Sequence, residues 1–196
     1  IVTEFLDTDW RTGADPLKLE ERLAADTSHQ IKAVCVVHNE TSTGCTSPIA
    51  KIRAVMDKLN HPALLMVDTI SSLASIDYRH DEWGVDMCVT GSQKALMLPA
   101  GLAFISVSDK AWKLIDANTQ QKSFYFDLKK YRDNLKNNDT PFTPANTLIK
   151  ALRHSLKMLR AEGIENTWAR HARMGKACRA GLSAMNLQLL AEDPVD

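Results

Sequence analysis

The sequence predicts an α/β protein with a mainly parallel sheet and flanking helices. Helical and strand-like segments alternate along the first half of the chain, which is the pattern of strands joined by crossover helices. Most strand-like segments are short continuous apolar runs, which is typical of strands buried on both faces. A chain of 196 residues is also long enough to bury one sizeable core.

The first predicted elements are a strand, a helix and a second strand. Residues 2–6 predict a short strand. Asp15 and Pro16 predict the N-cap and first turn of a helix that ends near Thr27. Residues 31–37 form an apolar run bounded by polar residues, so we expect a strand buried on both faces.

A second helix and three more strands complete the predicted sheet. Ser47 and Pro48 start the helix, and its apolar side chains recur at helical spacing, which predicts one stripe facing the core. The stripe consists of Ile49, Ile52, Val55, Met56 and Leu59. Further buried strands are predicted over residues 63–67, 85–89 and 102–107.

The rest of the chain predicts helices and one proline-containing loop. Residues 111–118 predict a helix, residues 124–139 are a polar aromatic stretch, and residues 140–146 predict a loop. Two long helices follow, the first from Leu148 to a C-cap at Gly163. Its predicted inner side is Leu148, Leu152, Ser155, Leu156 and Leu159. The second covers 165–185, with Trp168, Ala172, Gly175, Cys178, Leu182 and Met185 facing inward, and residues 186–190 are strand-like.

Composition excludes several classes of partner. The 24 basic residues balance 24 acidic ones, so no positive field is available for nucleic acid. The longest uncharged stretch, residues 95–108, is interrupted by Pro99 and Gly101, whereas a membrane span needs about 20 apolar residues. Histidine and cysteine spacings match no metal motif, so we expect no nucleic-acid, membrane or metal site. The lack of paired cysteines favours a reducing compartment.

Polar segments follow three of the predicted strands, at the end where parallel sheets bind ligands. They are HNETSTG from His38, then Asp68, and then GSQK ending at Lys94. A lysine amine holds an aldehyde cofactor covalently, and a carboxylate keeps a pyridine nitrogen protonated. Asp68 and Lys94 therefore fit pyridoxal phosphate, although a solvated surface pair has the same residue types.

The segments AVCVVHNETSTG, LLMVDTISS, GSQKALMLPAG and EGIENTWARHARMGKA resemble the class V pyridoxal-phosphate-dependent aminotransferases. Within that family they look most like the serine–glyoxylate and alanine–glyoxylate enzymes. The resemblance covers nearly the whole chain. It implies the large domain of an aspartate-aminotransferase-like transferase, incomplete at both ends.

The resemblance implies a role for each of five residues. Lys94 is the expected Schiff-base lysine and the base that moves the substrate proton, and Asp68 is expected to pair with the pyridinium nitrogen. Thr41 matches a hydroxyl beside the cofactor ring, Gln93 a phosphate contact, and Ile70 a residue beneath the pyridine ring. The alternatives are a turn cap for Asp68, an ordinary turn at Thr41, a surface-loop role for Gln93 and a core role for Ile70.

Thr143 matches a residue that in the family reaches the cofactor phosphate of the partner subunit. The resemblance therefore implies a homodimer with shared active sites. The family often has a tyrosine three residues before the position of Thr143, where this sequence has Thr140. The sequence therefore departs from the family in part of its phosphate-binding residues. His38 is expected to be a strand-end histidine and not an acid or base.

The implied reaction converts L-serine and glyoxylate to hydroxypyruvate and glycine, so the expected partners are amino acids and 2-oxo acids. Alanine–glyoxylate or serine–pyruvate transamination is the alternative, and an inactive fragment that binds only cofactor or its dimer partner is another. A desulfurase is disfavoured because Cys178 lies on a helical core stripe.

The resemblance also divides the chain. Residues 1–138 are expected to be part of the large cofactor-binding domain, and residues 139–196 to be the phosphate-contacting loop and the helices that lead into a small C-terminal domain. The expected location is cytoplasmic, or peroxisomal for a plant-type source.

Overall fold

The computed structural model describes residues 2–192. Ile1, at the start of the expected large-domain part, and residues 193–196, at the end of the second part, lie outside the described residues. The elements in chain order are α1 (Pro16–Ala25), β1 (Ala33–Val37), α2 (Ile49–Lys58), β2 (Leu64–Asp68), β3 (Met87–Gly91), β4 (Ala103–Val107), α3 (Asp109–Ala117), α4 (Leu128–Leu135), α5 (Asn146–Glu162) and α6 (Ile164–Ala184).

The four strands form one sheet in the order β1-β2-β3-β4. β1, β2 and β3 are parallel, and β4 runs antiparallel to β3. The prediction of a mainly parallel sheet with flanking helices is confirmed. The parallel order brings the carboxyl ends of β1, β2 and β3 to one edge.

Helices α1 and α2 cover one face of this sheet. The Asp15 carboxylate accepts a hydrogen bond from the Leu17 backbone N–H, so the predicted N-cap of α1 is confirmed. The predicted stripe of α2 is also confirmed, because its apolar side chains enter the core. That core is Leu19, Leu23, Ile49, Ile52, Val55, Met56, Ala63, Leu65, Val67, Tyr78, Val85 and Cys88.

The prediction that all four strands are buried on both faces is wrong for β1, β3 and β4. On β3 the side chain of Val89 is exposed. The side chains of Cys35 and Val37 on β1 are exposed, and so is that of Ile105 on β4. Successive side chains of a strand point to opposite faces. Within residues 2–192 the helices α1 and α2 pack on one of those faces only.

Two predicted strands are absent from the described part of the chain. Residues 2–6 have no regular structure, and the side chains of Val2 and Phe5 are exposed. Residues 186–190 also form no strand. An apolar run becomes a strand only where a neighbouring strand accepts its backbone hydrogen bonds, and the sheet order begins with β1. Helix α4, by contrast, was not predicted, because its sequence is almost entirely polar.

Helices α5 and α6 meet at Gly163, whose φ of 86° suits glycine. The predicted C-cap is confirmed, since the Gly163 N–H donates to the Leu159 carbonyl. On α5, Ser155 and Leu159 are buried, but Leu156 is exposed. On α6 the predicted inner face is only partly covered. Cys178 and Met185 are exposed because no element within residues 2–192 packs over the end of α6.

Candidate functional site

The three polar segments meet at the carboxyl edge of the sheet. The His38 N–H, just after β1, donates to the Asp68 carbonyl at 2.9 Å. Thr69, which follows β2, donates its N–H to the Val89 carbonyl of β3, also at 2.9 Å. The expected convergence of the strand ends is therefore present in the structure.

Asp68 is the last residue of β2 and is half-buried. Its Oδ1 accepts the Ile70 N–H at 2.8 Å, which turns the chain after the strand. The Oδ2 atom has no hydrogen-bond partner among residues 2–192. One oxygen therefore orients the carboxylate, and the other is available to a ligand.

Lys94 lies on a tight loop after β3. The loop closes around Ser92, a fully buried residue whose hydroxyl donates to the Pro99 carbonyl at 2.7 Å and accepts the Leu102 N–H at 3.1 Å. The Met97 N–H donates to the Lys94 carbonyl at 2.8 Å. The Lys94 side chain is exposed, and within the described chain its amine has no hydrogen-bond or ion-pair partner.

Helix α5 holds this lysine loop in place. The Ser155 hydroxyl of α5 donates to the Leu96 carbonyl two residues after Lys94. Leu96 and Leu98 are buried against Leu159 of the same helix. The position of Lys94 thus depends on residues far away in the sequence.

Thr41 lies at the tip of a loop that an amide network fixes. The hydroxyl of Ser71 donates to the Asn39 carbonyl at 2.6 Å, and the Asn39 amide donates back to that hydroxyl at 3.0 Å. The Asn39 Oδ1 accepts the Thr46 hydroxyl at 2.9 Å. Asn39 therefore connects the Thr41 loop to the turn that follows Asp68, while the Thr41 side chain is exposed.

Gln93 and Ile70 lie beside the two central residues. The Gln93 amide folds over Gly91, where a Cβ would stand 2.7 Å from the Gln93 Oε1. Gly91 is therefore required for this side-chain position. Ile70 is half-buried and lies two residues after Asp68. Both lie at the edge of the sheet that carries Asp68 and Lys94.

Thr143 is separate from the other five candidates. It is exposed, and within residues 2–192 no hydrogen bond joins it to them. Its neighbour Phe142 stacks on Tyr125 with ring centroids 4.8 Å apart. Phe124 and Phe126 beside this pair are exposed. The loop of Thr143 is thus held by an aromatic cluster with a large exposed surface.

His38 lies beneath the site and is only 3% exposed. Its Nδ1 is 2.9 Å from the Ser72 hydroxyl, and its ring packs on Tyr78 and Trp83. Burial lowers the pKa of His38 to about 4 and raises the pKa of Tyr78. A neutral, buried ring is structural, in keeping with the interpretation of His38 as a strand-end histidine.

Sequence reasoning gave no positioning role to Ser92, Ser155 or Asn39, although helical spacing placed Ser155 on the inner side of its helix. Serine and asparagine are common in surface loops, and no spacing in the sequence distinguishes Ser92 and Asn39 from other such residues. The contacts of the three residues join segments as much as 59 residues apart, so only the tertiary structure reveals them.

The residues present fit an aldehyde cofactor with a pyridine ring. Lys94 supplies an unpaired amine, and Asp68 supplies a carboxylate with one free oxygen at the same edge of the sheet. Within residues 2–192 no group of three or more His, Cys, Asp or Glu side chains is placed to hold a metal ion. The fold and the site together define a pyridoxal-phosphate type of protein.

Comparison with known proteins leads to the same class of protein. The family model "Aminotransferase class-V" matches residues 11–195. The serine–glyoxylate aminotransferase of Hyphomicrobium methylovorum is 46% identical over 97% of this chain and 47% of its own length. The L-aspartate–glyoxylate aminotransferase of Paracoccus denitrificans is 44% identical over 97% of this chain and 48% of its own. The pyridoxamine–pyruvate aminotransferase structure from Mesorhizobium loti superposes with a TM-score of 0.88 at 31% identity, covering 96% of this chain and 47% of that one.

The chain belongs to the class V aminotransferase family, whose members depend on pyridoxal 5′-phosphate. The resemblance to this family is confirmed. The chain spans about half the length of the curated relatives it matches. No helix within residues 2–192 is long and apolar enough to cross a membrane.

Proposed function

We propose that the whole protein containing this chain is a pyridoxal-phosphate-dependent aminotransferase that uses glyoxylate as amino acceptor. The observation that carries the proposal is that two groups lie at the same edge of the sheet. They are the Lys94 amine and the Asp68 Oδ2 atom, neither of which has a partner among residues 2–192. The cofactor supplies, when bound, an aldehyde that takes the amino group and a ring that withdraws electrons from the substrate.

The residues of this chain have distinct tasks in that reaction. With the cofactor bound, Lys94 would hold its aldehyde through the amine and would move the proton of the substrate α-carbon. Asp68 Oδ2 keeps the pyridine nitrogen protonated, while Oδ1 stays bonded to the Ile70 N–H. Thr41 would contact the ring and its phenolic oxygen, Gln93 would bind the phosphate, and Ile70 would pack beneath the ring.

The first test is covalent fixation of the cofactor. Pyridoxal phosphate and borohydride are added to the whole protein, and the tryptic peptides are analysed by mass spectrometry. The added mass is expected on the peptide that contains Lys94. Lys94→Ala abolishes it, while Lys51→Ala, at an exposed lysine of α2, does not. Labelling spread equally over surface lysines would contradict the assignment.

L-Serine is the proposed amino donor, giving hydroxypyruvate from serine and glycine from glyoxylate. The serine–glyoxylate relative supports this choice, and the aspartate–glyoxylate relative at 44% identity favours L-aspartate as second candidate. Alanine–glyoxylate and serine–pyruvate transamination remain alternatives. Each donor is added alone to the cofactor-loaded protein, and loss of the aldehyde absorbance is followed. The fastest donor identifies the substrate, and no change with any donor would contradict transamination.

We further propose a homodimer in which Thr143 reaches the cofactor phosphate of the partner subunit. Its exposure and its separation from the other site residues support this arrangement. The test is to mix Lys94→Ala subunits with Thr143→Ala subunits of the whole protein. Each mixed dimer then contains one site without either defect, so activity rises to about a quarter of the wild-type value.

The matched control mixes Lys94→Ala with Asp68→Ala. In the proposed dimer, one subunit supplies both Lys94 and Asp68 to a given site. Every site in this mixture therefore lacks one of the two residues, and activity stays at background. Equal recovery in both mixtures, or recovery in neither, would contradict a shared site.

Two wider assignments belong with this proposal. Residues 1–138 form part of the cofactor-binding domain, and residues 139–196 lead toward a small domain. The bacterial relatives favour a cytoplasmic location, and nothing in the comparisons favours the peroxisome.

A further inference from the structure

Thr69 is a fully buried residue at the point where the strands that carry Asp68 and lead to Lys94 separate. It directly follows Asp68, the last residue of β2. The pairing of β2 with β3 ends at Asp68 and Val89, and the chain continues from β3 into the Lys94 loop. Contacts between Thr69 and Val89 therefore connect the two strand ends on which the functional residues depend.

The Thr69 side chain adds to the hydrogen bonds at this point. Its hydroxyl donates to the Val89 carbonyl at 3.0 Å, the same carbonyl that accepts the Thr69 backbone N–H at 2.9 Å. The Cys88 thiol lies 3.1 Å from the hydroxyl oxygen. Because a hydroxyl has a single proton, which is donated to Val89, the thiol is the donor in this contact. The Thr90 hydroxyl donates a longer hydrogen bond, of 3.3 Å, to the Thr69 carbonyl.

A single backbone hydrogen bond ends the pairing of β2 with β3. Beyond Thr69 the chain turns, since the Thr69 carbonyl accepts the N–H groups of Ser72 and Leu73 at 3.1 and 2.9 Å. The ends of strands and helices open with less free energy than their centres. A buried hydroxyl that bonds to the same carbonyl as the last backbone N–H keeps this strand end closed.

We propose that Thr69 is a positioning residue of the candidate site, whose hydroxyl fixes the Asp68 carboxylate relative to the Lys94 loop. The inference rests on the proposed function, because the cofactor's ring nitrogen and aldehyde would have to reach Asp68 and Lys94 at the same time. A shift of one strand end against the other would weaken one of these two contacts. Thr69 is buried, so it acts through the backbone and not by contact with the cofactor.

Thr167 provides a matched control. It is also fully buried, and its hydroxyl donates to a backbone carbonyl, that of Gly163, at 3.0 Å. This hydrogen bond lies at the junction of α5 and α6 and joins no strand of the sheet. Thr→Val at either position replaces the hydroxyl with a methyl group of similar size. The two substitutions are therefore alike in chemistry and burial and differ in the place of the lost hydrogen bond.

The first experiment compares two ligands of the whole protein by fluorescence titration. Pyridoxal phosphate can use both groups of the site, whereas its analogue with carbon in place of the ring nitrogen cannot use the Asp68 carboxylate. The ratio of the two dissociation constants reports the contribution of Asp68. We expect the unsubstituted protein to bind pyridoxal phosphate at least about tenfold more tightly than the analogue. Thr69→Val is expected to lower this preference at least about threefold, and Thr69→Ser, which keeps the hydroxyl, to retain it.

The control variant separates positioning from stability. Thr167→Val is expected to lower the Tm as Thr69→Val does, but to leave the preference between the two ligands unchanged. Equal weakening of both ligands by Thr69→Val would indicate a general structural role and would overturn the inference. No preference in the unsubstituted protein, unaltered by Asp68→Asn, would overturn the proposed role of Asp68 and the inference together. The two failures are thereby distinguished.

A second measurement needs no cofactor. Amide hydrogen exchange at position 69 reports how often the last hydrogen bond between β2 and β3 opens. In the whole protein without ligand, the protection factor of this amide is expected to fall at least about fivefold in Thr69→Val. It is expected to be retained in Thr69→Ser and in Thr167→Val. Unchanged protection in Thr69→Val would mean that the hydroxyl does not hold the strand end, and the inference would be wrong.

Discussion

The two faces of the sheet differ in how they are covered, although both are made of apolar strand residues. On one face, Leu65 and Val67 of β2 are buried under α1 and α2. On the other, which we call the open face, Met66 and Asp68 of the same strand lie between the exposed Val37 and Val89. The covered face gives the domain its stability, and the open face carries the carboxylate of the candidate site. The two faces therefore differ in burial although the same strands form both of them.

The largest expected difference in stability is between two side-chain substitutions, one on each face of the sheet. Met56→Ala removes a side chain with no exposed surface and is expected to lower the free energy of unfolding by about 2–5 kcal/mol. Val89→Ala, on the open face, is expected to cost less than about 1 kcal/mol. Urea denaturation of both variants measures the difference. Similar losses would mean that the open face is buried in solution.

His38 extends the comparison to neighbouring residues, because it enters the covered side whereas Val37 points to the open face. The His38 pKa is about 4 in the folded state, against about 6.5 in the unfolded chain. The unfolded state therefore binds more protons below pH 6.5. Its excess of protons destabilises the fold as the pH falls from 6.5 towards 4.

The expected loss of stability from this one group between about pH 8 and pH 5 is about 2 kcal/mol. His38→Asn removes the group, so the pH dependence of its unfolding free energy is flatter by that amount. Carboxylates titrate in both proteins, and the difference between the two curves cancels them. Superimposable pH slopes for the variant and the parent would show that His38 does not carry this effect.

Asn39 tests whether the site edge is held by its own network. Asn39→Ala removes the hydrogen bonds of its side-chain amide to Ser71 and Thr46 and is expected to cost about 1 kcal/mol. In the whole protein this weakens pyridoxal phosphate binding about fivefold, measured by fluorescence titration. Ser42→Ala is the control, because Ser42 lies in the same loop and, among residues 2–192, its side chain bonds only to Glu40. Equal weakening by both variants would argue against a positioning role for Asn39.

The smallest expected effect is at the N-terminal segment. Phe5→Ser replaces a side chain that is 80% exposed, so the stability of residues 1–196 changes by less than about 0.5 kcal/mol. A loss comparable with that of Met56→Ala would mean that residues 2–6 pack on the domain in solution.

Local sequence signals predicted much of this molecule. The stripe of α2, the Asp15 cap and the Gly163 cap depend on contacts within a few residues, and all three are confirmed. The motifs around Asp68 and Lys94 were recognisable because the ends of parallel strands meet at one edge, whatever fills the core. Family membership followed from these motifs, and the comparisons confirm it.

Tertiary structure decided the rest. Residues 2–6 and 186–190 have strand-like sequences but form no strand. A strand exists only where a neighbouring strand accepts its hydrogen bonds, and the sequence of the segment does not specify that neighbour. The exposure of Val37 and Ile105 depends on which helices pack on each face, which strand composition does not specify. The Lys94 loop depends on Ser155, 61 positions further along the chain. Sequence alone predicted which residues carry the chemistry, and tertiary structure determined which contacts hold them and which face of the sheet is exposed.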